Sequence, residues 1–74
     1  MIKTHFEIAK ITQIDEHNQE IQSVFSANNL SECLKEWKEK QYDKINYFID
    51  VWEQKENDVP YPIADINIPE WIFN

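Results

Sequence analysis

The sequence contains no glycine, no arginine and a single cysteine. Each absence excludes a class of function. Loops that cradle phosphate need glycine so that the backbone can approach the anion, so neither a P-loop nor a dinucleotide fingerprint is present. Arginine is the usual residue for bidentate grip on phosphate or carboxylate, and that grip is missing. One cysteine, Cys33, cannot build an intramolecular disulfide framework and fits a reducing compartment. The longest apolar runs are three residues, Tyr47–Ile49 and Trp71–Phe73, so no membrane span or secretory signal is expected. The expected location is the cytoplasm.

What is present suffices for one small domain, residues 1–74. The hydrophobic fraction is 42% and the aromatic fraction 14%. A chain poorer in apolar residues would be disordered at a net charge of −7. At 74 residues the chain buries only about 60% of the surface its unfolded form exposes, so the core is small.

Residues 2–14 read as a strand in which Ile2, Phe6 and Ile8 share a parity. Ile11 breaks that parity and Ile14 restores it, which places a bulge near Ala9–Lys10 or buries the strand partly on both faces. Polar residues from Asp15 to Glu20 read as a hairpin loop. A second strand over 21–27 places Ile21, Ser23, Phe25 and Ala27 on one face. Asn29 is a preferred N-cap with Glu32 at N3. Leu30, Cys33, Leu34 and Trp37 then form an apolar helical stripe. The helix is expected to end near Gln41–Asp43, fraying or turning at Asp43 for want of a glycine cap. Residues 45–53 alternate as the strongest strand, with Ile45, Tyr47, Ile49 and Val51 on one face and Asn46, Phe48, Asp50 and Trp52 on the other. Glu53 to Asp58 is a loop or hairpin tip. Pro60, Pro62 and Pro69 confine Ile63, Ile66 and Ile68 to an edge strand or extended segment. The predicted fold is α+β: a small antiparallel sheet, ββαβ plus an extended or short-strand C-terminal tail, with one helix packed on one face. The helix stripe is expected to meet Phe6, Ile8, Phe25, Ile45, Tyr47, Ile49 and Val51.

Few constellations point to chemistry. His5 and Glu7 share a strand face and His17 lies in the loop, but their spacing does not force the convergence a metal site needs. No metal site and no cofactor are expected. Cys33 lies within an apolar stripe, whereas a catalytic thiolate wants an electropositive, accessible setting. Ser23, Ser26 and Ser31 have no paired His and Asp. No catalytic residue is expected, and the chain reads as a non-enzyme.

Charge is distributed unevenly. Residues 1–42 carry seven acids and five lysines, and residues 43–74 carry seven acids and two lysines. A surface so charged either solvates a small domain or steers it toward a basic partner. Aromatic residues among those acids are what protein interfaces use as anchors, unless Trp71 and Phe73 pack on Phe48 and Trp52 as a second core. The candidate partner-binding residues are Asp50, Trp52, Glu53, Glu56, Asp58, Tyr61, Asp65, Glu70 and Trp71. An acidic chain does not bind a nucleic-acid backbone directly.

In length, acidity and the passage Ile21–Gln41, where a strand runs into a capped helix (Ser26, Ala27, Asn29, Leu30, Ser31, Glu32), the chain resembles small phage and mobile-element proteins that block host defences, anti-CRISPR proteins included. The resemblance is architectural and carries over no functional residue. It implies a cytoplasmic inhibitor, in the host cell if phage-encoded, that acts on a nucleic-acid-binding complex or nuclease by occluding its basic surface. Immunity proteins of nuclease toxins are similar in size and acidity. A structural or regulatory subunit that dimerises through its exposed sheet face is the alternative, so both monomer and homodimer stay open.

Overall fold

The structure is a computed structural model and describes residues 2–69. Four strands and one helix follow in the order β1 (Lys3–Gln13), β2 (Gln19–Ala27), α1 (Leu30–Lys40), β3 (Tyr47–Gln54) and β4 (Tyr61–Ile66). The strands form one sheet in the order β2-β1-β3-β4, and every neighbouring pair is antiparallel. The α+β class is as predicted. The ββαβ order is not: two strands follow the helix, giving ββαββ. The proline-flanked segment pairs with β3 through a bulge at Ile63, and Pro62 is tolerated because it sits in an edge strand where a missing N–H costs least.

The helix begins as its residues dictate. Asn29 has extended backbone angles, and its side chain accepts from the Glu32 amide at 2.9 Å. Glu32 in the first turn and Lys38 and Lys40 in the last complement the helix dipole. The helix ends at Gln41 in the left-handed region, φ 55° and ψ 44°, with the Gln41 and Tyr42 amides turned back onto the Lys38 and Trp37 carbonyls. Asp43 then accepts from the amides of Ile45 and Asn46 and closes the expected turn. That turn removes Ile45 from the sheet. It is 83% exposed and takes no part in the core, contrary to its alternation with Tyr47.

The helix lies over β1 and β2. Ile8, Ile49, Cys33 and Trp37 are fully buried, with Phe6, Phe25, Leu30, Leu34, Tyr47 and Ile66 packed around them. Tyr42 and Tyr47 close the end of this core, their rings 5.8 and 6.4 Å from that of Trp37. The bulge lies opposite the predicted place. Ile8 pairs with Phe25 and Ala9 with Ser23, so the extra residue is Val24 on β2. One inserted residue reverses the facing of everything before it. Phe25 and Ala27 therefore share the face of Ile8, while Ile21 and Ser23 join the opposite face, and Ile21 is exposed. The expected single face for Ile21, Ser23, Phe25 and Ala27 is split by this device. The slab measures 37 × 33 × 16 Å, room for two layers. Among the described residues no helix is long and apolar enough to cross a membrane.

Candidate functional site: an acidic row on the open sheet face

Alternation along β1 sends Phe6 and Ile8 toward the helix and His5, Glu7 and Ala9 the other way. The antiparallel register then aligns side chains across strands. Glu7 lies opposite Asp50, and Asp50 lies opposite Asp65. Three carboxylates thus stand in line across β1, β3 and β4 on the face away from α1. One rank along, His5 lies opposite Trp52, which lies opposite Pro62. The His5 and Trp52 rings stack at 5.9 Å and 16°. His5 Nε2 and Glu7 Oε2 are 2.7 Å apart. Lys3 stands at the next position on this face, opposite Gln54.

Asp50 is the unusual member. It is only 7% exposed, and its Oδ1 has no hydrogen-bond partner among the described residues. The Trp52 Nε1 is likewise buried and unpartnered. The Asp50 carboxyl is pushed up to about 6, first by burial, then by the hydrogen bond and charge of Asp65 and the charge of Glu7, against a smaller opposing contribution from the Trp52 indole N–H, which points toward the carboxylate without reaching normal hydrogen-bond geometry. Like charges directly opposite one another in a sheet are destabilising, and a buried carboxylate resists ionisation. Next to His5, a depression of about 490 Å³ is bordered by Lys3, Ser26, Asn28 and Glu32.

Of the candidate residues, the fold brings Asp50, Trp52 and Asp65 together. Glu56 and Asp58 lie at the tip of the β3–β4 hairpin, where Asn57 takes a left-handed turn at φ 65° and the Asp58 carbonyl accepts from Gln54. Glu53 belongs to β3 rather than to the loop. It pairs with Tyr61 on the face opposite Asp50, so neither residue joins the row. Glu70 and Trp71, and with them the expected docking of Trp71 and Phe73 on Phe48 and Trp52, lie outside the described residues. His5 and Glu7 are the members that sequence reasoning missed. Their shared face was legible, but nothing in the chain announced that it would align with Asp50 and Asp65.

The remaining reactive groups are quiet. Burial, then the charges of Glu32, Glu36 and Glu7, push the Cys33 thiol up to about 11, so it stays protonated at neutral pH. Among the described residues no group of three or more His, Cys, Asp or Glu is placed to hold a metal ion. No protein-family model, curated protein or solved structure matches this chain.

Proposed function

We propose that this chain is a small acidic binding protein that inhibits a nucleic-acid-handling partner by covering the basic surface with which that partner holds phosphate. The observation that supports the reading is the Glu7–Asp50–Asp65 row, a line of carboxylates on a sheet face that no helix covers among the described residues. Phosphate-binding proteins present lysines and arginines, and a surface of opposite sign both steers the encounter and competes for those groups. Trp52 beside the row supplies an aromatic anchor. An anti-CRISPR-type inhibitor and an immunity protein of a nuclease toxin both fit this description.

The test is capture by the full-length chain from lysate of its source cell, with and without duplex DNA or RNA as competitor. A basic protein released by the competitor, and whose nucleic-acid binding the purified chain blocks, supports the proposal. A captured set indifferent to the competitor overturns it.

A second reading, a self-associating subunit, is favoured by one observation. β2 is a sheet edge nine residues long with a single charged side chain, Glu20, and exposed Ile21 and Val24. Such an edge is a template for strand addition. The exposed sheet face suits self-association less well, since two copies face to face would oppose their carboxylate rows. Sedimentation velocity across a hundredfold concentration range separates the two readings.

A further inference from the structure

We propose that the open face is a receptor for one guanidinium group, the side chain of an arginine presented by the partner, seated against the Asp50–Asp65 carboxylates and the ring of Trp52. This rests on the reading that the open face engages a basic protein, and it names the chemical group recognised.

Two independent features point to a ligand. The first is the register, which sets Glu7, Asp50 and Asp65 opposite one another with His5 the only base in the two ranks they share with Trp52. The second is the state of Asp50 itself. The residue is only 7% exposed, and its Oδ1 makes no hydrogen bond of normal geometry within the described residues, although the Trp52 indole N–H, itself unsatisfied, lies near enough to favour the charged carboxylate. A buried acceptor without a donor costs about 1–3 kcal/mol, and more when it is charged. A ligand donor at that oxygen would remove the cost.

The surroundings select among donors. A guanidinium is planar, presents five N–H groups in a fork and is weakly hydrated, so it enters a largely desolvated site more readily than an ammonium. Two carboxylates on neighbouring strands suit that fork, and an indole beside them offers a face for stacking. The charged groups facing Asp50 are Glu7 on β1 and Asp65 on β4, with His5 and Lys3 further along β1. Both nearest charges are negative, so an arriving cation relieves repulsion as it forms its own bonds. The chain itself contains no arginine that could fill the site in cis.

The experiment is a titration of the full-length chain at pH 7 and low salt with N-acetyl-argininamide, and separately with N-acetyl-lysinamide. The Trp52 indole N–H resonance, assigned with Trp52→Phe, is followed by heteronuclear NMR. The expected result is a saturable shift of that resonance with the arginine probe, at least about fivefold tighter than with the lysine probe because of the fork and the stacking. Asp50→Asn and Asp65→Asn should each abolish saturation. Asp65 lies on an exposed edge strand, so its variant keeps the test alive if the Asp50 variant misfolds. No saturable shift, equal affinity for the two probes, or a shift unchanged in Asp65→Asn would each overturn the proposal. Failure here is separable from failure of the proposed function. A captured partner released by nucleic acid but indifferent to Asp65→Asn leaves the inhibitor reading standing and removes the guanidinium site. Saturable arginine binding without such a partner does the reverse.

Discussion

The two faces of one sheet are built from alternate residues of the same strands, yet they obey different rules. On the covered face Ile8 and Ile49 meet Cys33 and Trp37 from the helix, and all four are fully buried. Burial there removes apolar surface from water and stabilises the fold. One residue along each strand, on the open face, Asp50 is almost as deeply buried, and there burial costs free energy because it strips water from a carboxylate between two others. The packing on one face supports an unfavourable arrangement on the other. Among the described residues the sheet carries a single helix layer, and the layer that stabilises it lies on one face only.

The largest expected effect breaks the covered face. Trp37→Ala removes the largest fully buried side chain and should cost about 3–5 kcal/mol, enough to unfold so small a domain. The same substitution at half-buried Trp52, across the sheet, should cost less than about half of that, since less area returns to water. Urea denaturation followed by circular dichroism measures both. Equal losses would mean that the open face contributes to stability as the covered face does, and the contrast between them would fall.

The next effect has the opposite sign. Folding raises the Asp50 carboxyl from its ordinary 3.8 to about 6. The native state therefore holds this proton more tightly than the unfolded chain. Its contribution is most favourable below about pH 4, is lost as pH rises through about 6, and leaves the fold weaker by up to about 3 kcal/mol above that. Asp50→Asn removes the titration and supplies an N–H to the carboxylate of Asp65. At pH 7 the variant should be more stable than the parent by about 1–3 kcal/mol, and the gap should close on acidification toward pH 4. Thermal midpoints measured from pH 4 to 7 decide this. A variant less stable than the parent at neutral pH would show that the row stabilises the sheet.

How much of this was legible in the sequence differs between the faces. The covered face follows local rules: an Asn29 cap, a stripe at helical spacing, alternation in β1 and β3. Residue types alone indicated Phe6, Ile8, Phe25, Tyr47 and Ile49 as partners of the helix. Ile45 failed because the Asp43 side chain captures the Ile45 and Asn46 amides, so the strand begins two residues later, at Tyr47. Ile21 and Ser23 failed because Val24 shifts the register, and a bulge leaves no compositional mark. The acidic row was illegible for a stronger reason. Glu7, Asp50 and Asp65 are far apart in the chain, and only the pairing of β1 with β3 and of β3 with β4 puts them in line. Aromatic and acidic content in residues 43–74 pointed to Asp50, Trp52 and Asp65, but equally to Glu53 and Tyr61 on the other face.

Smaller effects sharpen the comparison by loosening the layer that makes one face covered. Asn29→Ala deletes the oxygen that accepts the Glu32 amide and should cost about 1 kcal/mol. The loss should appear as faster amide exchange in the first helical turn, while exchange in β3 and β4 changes little.

The smallest expected effect lies at the other end of that helix and follows from the absence of glycine. Two positions take positive φ, Gln41 at 55° and Asn57 at 65°. Asparagine adopts the left-handed region with little penalty, whereas a residue with a long side chain is held there at a cost of about 1 kcal/mol. Gln41 accepts that cost because its amide and that of Tyr42 satisfy the last helical carbonyls, a termination that glycine usually performs. Gln41→Gly should therefore stabilise the helix end, less the entropy that glycine adds to the unfolded chain. The net gain should be about 0.5 kcal/mol, with Asn57→Gly near zero or slightly destabilising. Parallel denaturant titrations of the two variants test the difference. If Gln41→Gly gains no more than Asn57→Gly, strain at the helix terminus is not a measurable part of what holds the covering layer in place.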